Sequence, residues 1–383
     1  MLKLLIYASG FSAIFLNRFG LPITNDFSLS FSYIFIYLAL AYAFKEGLVK
    51  LDVGLLLCFA AAIFSGVISL LQGYPDKTLT SFLLLIFIYF PFTFISVPPT
   101  SSKATLSHLF YPMLVFLGIA GISQFFFQFL AKPDWLFDYR PFLPLYLQNK
   151  NIMNTVIPIG SFIKSNGFFL LEPSGFSQWM ALGIFFFGAF AKPFFTFFVF
   201  LTGLITSFSG TGIILLLFIA PFSLLLFDSS RRSLVIFFVL LFALGSFLAG
   251  DQLLVSRVSE FQGGTQLQTT SAAARFINPI IPLKEHLLKS PQLLLWGTGP
   301  GTIFRISRDY DSHDPVWAKL FLEYGIVGGF LFLIFIFRST VSSNGSRAVS
   351  FLFFIQWFFL GGHLLALDVV AVYVLYYKLP FYD

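Results

Sequence analysis

The chain has 383 residues, of which 57% are hydrophobic and only 10% charged, with a net charge of +6 and a mean hydropathy of +0.87. Soluble domains carry about 25% charged residues, so a soluble globular protein is excluded. The positive charge is no nucleic-acid signal, because the basic residues flank apolar runs and do not gather on one polar face. A single cysteine, Cys58, excludes an internal disulfide. The 57 Phe and 15 Tyr suit lipid-facing and interfacial surfaces without any aromatic binding role.

A helix crossing hydrocarbon needs about 20 apolar residues, and shorter runs can be completed at the interface. Apolar segments fall at 2–16, 27–44, 53–72, 79–96, 106–130, 176–191, 194–208, 211–227, 233–250, 316–337, 348–362 and 364–379. The last two read equally as one broken helix, so the expectation is an all-α polytopic membrane protein of eleven or twelve transmembrane helices. Helices are forced because an open sheet edge cannot be satisfied in lipid. The first segment lacks a small-residue cleavage site at Leu16-Asn17-Arg18-Phe19 and does not read as a cleaved signal.

Orientation follows from the short loops. With the N-terminus inside, the inner connections hold Lys45, Lys50, Lys103, Lys192, Arg231, Arg232, Arg338 and Arg347, against Arg18 and Lys77 outside. This places two long polar loops, 131–175 and 251–315, on the extracytoplasmic side of one membrane domain covering residues 1–383. Loops of that length are usually functional or disordered, and Trp135 and Trp296 favour order. Residues 283–289, between Pro282 and Pro291, read as a short amphipathic helix on the membrane surface.

The second loop concentrates the candidate chemistry. Soluble-enzyme motifs are missing: the chain has no HExxH, Walker loop, CxxC or GxSxG. Gly297-Thr298-Gly299-Pro300-Gly301 resembles a phosphate-cradling loop, with a tight re-entry turn as the equal alternative. The outer loops also hold Arg140, Arg257, Arg275, Arg305 and Arg308. Guanidinium groups bind phosphate oxygens bidentately and stay charged. Arg275 stands out because it follows Ala272, Ala273 and Ala274, where a charge needs a reason. His313 precedes Asp314-Pro315, which read as an N-cap and a first-turn proline. The adjacent helix dipole keeps such an imidazole neutral, as a general base requires; His286 competes for that role. Glu323 lies about two turns into the same helix with Lys319 four residues before it, an expected buried pair. Gly325, Gly328 and Gly329 then suggest close helix packing.

Five pieces in order resemble one family. Asn166-Gly167-Phe168-Phe169-Leu170-Leu171-Glu172-Pro173-Ser174 resembles the RxxGxxxEPS segment of Wzy-type polysaccharide polymerases, and Thr206–Gly212 resembles their small-polar stretch. Ser271–Arg275, Trp296–Gly301, and His313 with Glu323–Gly328 match the order found there and in O-antigen ligases. The matching region covers 164–330, and Lys164 stands where the family has arginine.

The resemblance implies a GT-C-like architecture and a metal-independent, cofactor-free glycosyltransferase in the bacterial inner membrane, its active site facing the periplasm. It implies transfer of a glycan from undecaprenyl pyrophosphate to an acceptor repeat unit, with a chain-length regulator and a flippase as companions. Carried over, Arg275 contacts the pyrophosphate and His313 activates or positions the acceptor hydroxyl. Lys164, Glu172, Arg305, Arg308 and Gly299 are the expected substrate-binding residues. An O-antigen ligase acting on lipid A core, and a flippase or transporter of lipid-linked sugars, are the alternatives.

Overall fold

The computed structural model describes residues 1–23, 28–97, 105–150, 155–189, 193–226, 275–306, 310, 312, 314–341, 347–360, 364–365 and 367–381. The described residues are mostly helical, and three helices are long and apolar enough to cross a membrane: Val53–Gln72, His108–Phe127 and Val316–Thr340. The helical class expected from sequence is therefore met, with three short antiparallel strand pairs added to it.

By the contacts within it the chain groups into two compact units, one from residues 1–39, 101–250 and 381–383 and the other from 40–100 and 251–380. Each unit draws on separated stretches of chain, so no linker composition marks the division.

The first unit contains α1 (Leu2–Phe15), the pair β1 (Leu21–Pro22) and β2 (Ser28–Leu29), and most of α2 (Phe31–Lys45). In the second, β3 (Val49–Leu51) leads into α3 (Val53–Gln72), whose first amides are capped by Asp52 through a 2.7 Å bond from the Leu55 N–H. Next comes α4 (Leu79–Tyr89), followed by a tight turn and β4 (Phe94–Ser96), which pairs with β3. The segment expected as a span to residue 96 is thus an eleven-residue α-helix closed by a 3-10 turn at Phe90–Thr93. Pro91 has no N–H to continue the helix, and the chain beyond it finds its partners across the strand pair.

The first unit resumes with a wide turn at Thr105–Phe110 and α5 (Tyr111–Phe127), then β5 (Pro158–Ile159) and β6 (Phe162–Ile163). Three helices follow, α6 (Pro173–Ala189), α7 (Phe194–Thr206) and α8 (Gly210–Leu226), with α6 packed on both α7 and α8. The small-polar stretch at 206–212 makes that contact possible. Gly212 sits against the Ser177 carbonyl, and its N–H donates to Ser177 Oγ at 3.1 Å.

The second unit resumes with a helical turn over 280–287, then α9 (Pro291–Trp296), α10 (Ile303–Ile306), α11 (Val316–Val341), α12 (Arg347–Ile355) and α13 (Leu367–Tyr377). The expected surface helix at 283–289 is helical at its start, but its buried Leu287 packs against Ile303, Ile306 and Leu322. Its apolar side is therefore occupied by protein. The expected span at 233–250 and residues 251–274 lie outside the described residues. The last two expected segments form separate helices, α12 and α13.

Candidate functional site

In the first unit, the segment carrying the Glu-Pro-Ser signature is a built structure. Glu172 stands at the N-cap of α6, where its carbonyl accepts the Phe176 N–H at 3.2 Å and Pro173 takes the first helical position, where a missing N–H has no consequence. Ser174 Oγ donates to Glu172 Oε2 at 2.8 Å, holding the carboxylate at the positive end of the helix. Upstream, Gly167 and Phe168 both have positive φ (73° and 65°), a tight reversal that Phe168 adopts only under external constraint.

Gln124 of α5 supplies that constraint. Its Oε1 accepts from Ser165 Oγ (2.8 Å) and from the backbone N–H of Asn166 and Phe168, while its Nε2 donates to Asn166 Oδ1 and the Leu136 carbonyl. Asn166 Nδ2 then reaches the carbonyls of Phe137 and Thr155. A buried amide with all its partners fixes a loop more tightly than apolar contact does. Lys164 is half-buried at the end of β6, its backbone N–H donating to the Ile157 carbonyl.

Arg18 ties the same loop from another side. Read from sequence as an outer-loop charge, it is fully buried. Its guanidinium donates to Asp138 Oδ1 (3.1 Å) and to the carbonyls of Phe137 (2.7 Å) and Leu170 (2.9 Å), and it lies over the Tyr139 ring. Burial lowers its pKa to about 10, against the pull of Tyr139 and Asp138, so it stays charged at neutral pH. Burial pushes the Asp138 carboxyl up, but hydrogen bonds and charge from Arg140, with the Thr155 hydroxyl, outweigh this and hold it below its ordinary value. A carboxyl depressed in the folded state contributes stability that is complete above its unfolded pKa of about 3.9, and loses it as pH falls through the folded value. Thermal unfolding in detergent below about pH 4 should therefore be easier than at pH 6, and Arg140→Ala should flatten that acid limb; an unchanged limb in Arg140→Ala would contradict the assignment.

In the second unit, the glycine run meets a break in α11. Gly325 adopts φ 66° and ψ −172°, a conformation open essentially to glycine alone, and interrupts the helix. Carbonyls near the break need new donors. The Leu322 carbonyl accepts from the Thr298 N–H (2.8 Å) and hydroxyl (3.0 Å), and the Glu323 carbonyl from the Gly299 N–H (3.0 Å) and Ser69 Oγ (2.5 Å). The Glu323 side chain faces the same run, receiving backbone N–H groups of Gly301 and Ile303. On its other edge the run offers its Thr298 and Pro300 carbonyls to the amides of Tyr74 and Thr78. Described donors of this run are thus engaged by the chain itself: it is a turn clamped to a helix break, and the Gly299 N–H serves α11.

A Cβ at Gly325 would lie 2.5 Å from the Leu295 carbonyl carbon, and one at Gly297 equally close to that of Glu323. Gly325→Ala combines this clash with a forbidden φ and should remove folded protein from the membrane. Gly175→Ala, a helical position with open space around it, should leave the amount unchanged; equal yields of the two variants would argue against the clamp.

Lys319 and Glu323 form the expected pair, Nζ to Oε1 at 3.7 Å, with both side chains buried. Lys319 Nζ lies 4.1 Å from the centre of the Phe304 ring and has no hydrogen-bond partner among the described residues, nor has Glu323 Oε2. Pro315 is the N-cap of α11, its carbonyl accepting the Lys319 N–H, and Asp314 precedes it with φ 43°. The expected N-cap therefore shifts by one residue, because Asp314 is turned into the left-handed region.

Arg275 is half-buried at the start of a helical turn. Arg305 pairs with Asp76 at an exposed position, where an ion pair contributes little. His286, the alternative base, has Nδ1 3.2 Å from the Tyr74 hydroxyl. His313 and Arg308 lie outside the described residues. Among the described residues no group of His, Cys, Asp and Glu has the make-up of a metal site. Sequence reasoning passed over Gln124 and the burial of Arg18. The signal for the first was present, since Gln124 and Gln128 lie one turn apart at the end of a largely apolar helix. Comparison of the chain with protein-family models, with curated proteins and with solved structures finds no match.

Proposed function

We propose that the chain is a polytopic membrane glycosyltransferase that polymerises oligosaccharide repeat units carried on undecaprenyl pyrophosphate, at the periplasmic face of the bacterial inner membrane. The observation that carries this reading is the ordered series Glu172-Pro173-Ser174, Arg275, Trp296–Gly301, His313 and Glu323–Gly328 in a chain of this hydropathy. Its first member is supported by geometry: Glu172 is held at a helix N-terminus with its carboxylate half-exposed. In the proposed reaction the acceptor hydroxyl forms a bond to the donor's anomeric carbon as the carbon–oxygen bond to the lipid pyrophosphate breaks. His313 takes the hydroxyl proton, and Arg275 stabilises the charge on the departing pyrophosphate.

The test is purified protein with undecaprenyl-pyrophosphate repeat units. Chain lengthening without added metal or nucleotide supports the reading, and the absence of any longer glycan contradicts it. Arg275→Ala should abolish the product ladder at unchanged membrane abundance, and a normal ladder would remove Arg275 from the site.

A second reading, transport of a lipid-linked sugar, gains from the break at Gly325 and the buried Lys319–Glu323 pair beside it. Transporters place discontinuous helices and charges within the membrane. Transbilayer movement of the same substrate without chain growth would favour this reading.

A further inference from the structure

We propose that residues 129–146 form a platform whose exposed apolar side chains reach below the headgroups into the upper acyl-chain layer of a lipid bilayer. The segment follows directly on the candidate span ending at Phe127, and it exposes large apolar groups: Leu130 is 85% exposed, Leu145 78% and Phe142 69%. Exposed large apolar groups this closely spaced along the chain point to an interaction surface, and mixed aromatic and aliphatic groups beside a span are what the bilayer interface selects.

The backbone is prepared for a medium poor in water. Tight turns satisfy the N–H groups of Leu136, Phe142, Leu143 and Leu147 through the carbonyls of Pro133, Tyr139, Arg140 and Pro144. Pro133, Pro141 and Pro144 bring no N–H at all. Satisfied or missing donors lower the penalty for leaving water.

The segment also has two distinct faces. Leu136 and Phe137 are 4% and 3% exposed, and their carbonyls are held by Gln124, Asn166 and Arg18. That fixed base prevents the outward groups from folding back onto the protein. The continuity of the apolar surface with a membrane-crossing helix selects lipid as the occupant over a second copy of the chain. Nothing in this inference rests on the transferase reading.

The sole cysteine makes the test direct. In a Cys58→Ser background, a nitroxide is attached at Leu145→Cys, separately at Phe142→Cys, and at Phe64→Cys on the exposed face of α3 as a lipid-facing reference; the protein is held in phospholipid nanodiscs. Both platform positions are exposed, so the labels should not disturb folding. Collision with dissolved oxygen should exceed collision with a water-soluble nickel chelate several-fold at both positions, in the same sense as at Phe64. Nickel access above oxygen access would place the segment in water, and low access to both would mean that protein covers it. Either result overturns the proposal without touching glycan transfer.

Discussion

Arg18→Met is expected to lower the stability of the folded protein by about 3–5 kcal/mol, the usual effect of removing one partner from a buried charge network. The Asp138 carboxylate and the carbonyls of Phe137 and Leu170 each lose a donor at a fully buried position. Arg18→Lys should recover little, because an ammonium cannot reach three acceptors in the fixed geometry of the fork. Adding Asp138→Leu to Arg18→Met should restore only part of the loss, since the Leu170 carbonyl still lacks its donor and the Phe137 carbonyl keeps only Asn166. Thermal stability in detergent, followed by the decay of the monodisperse peak, measures the effect as a shift on the order of 10 °C. A shift within error of zero would show that the network does not hold the loop. Membrane abundance must be read alongside activity, because a loop released at Phe137 and Leu170 also releases the Asn166–Ser174 segment.

The second large effect is expected at Lys319 and Glu323. Lys319→Met should destabilise by about 3–5 kcal/mol, because it leaves a buried carboxylate whose Oε2 has no hydrogen-bond partner among the described residues. Glu323→Gln should be milder, since the amide oxygen can still accept from the backbone of the glycine run. The double variant Lys319→Met with Glu323→Gln should lose less than the two single effects summed, with an interaction energy of about 1–3 kcal/mol. Strict additivity would mean that the pair is not coupled and that the 3.7 Å approach has no energetic consequence.

Much of the fold is legible in the sequence wherever a helix is long and uniformly apolar. The segment expected at 53–72 is α3 residue for residue, and that expected at 316–337 begins where α11 begins. Legibility fails where a tertiary partner takes over backbone hydrogen bonds. Residues 94–96 look like the end of a span, yet they pair with residues 49–51. Gly325 looks like a packing glycine, and Gly328 behaves as one against Ser65 and Tyr324. Gly325 instead breaks the helix, because amides and hydroxyls from Ser69, Thr298 and Gly299 are present to receive the freed carbonyls.

The candidate site divides in the same way. The Lys319–Glu323 pair follows from spacing alone, because side chains four apart share a helix face and a buried charge seeks the nearest opposite one. The glycine run left two readings open, and its hydrogen bonds to α11 could not be read from the sequence.

By itself the sequence determined that this is a helical chain for an apolar medium and where its longest candidate spans run. Those properties depend on composition and on neighbours within one helix. The tertiary structure alone decided that Arg18 is a buried tie, that Gln124 shapes the Asn166–Ser174 turn, and that the glycine run clamps a broken helix. Each of these pairs a polar group with a backbone atom more than ten residues away. A sequence shows that such a group must find a partner, and only the folded chain shows which one.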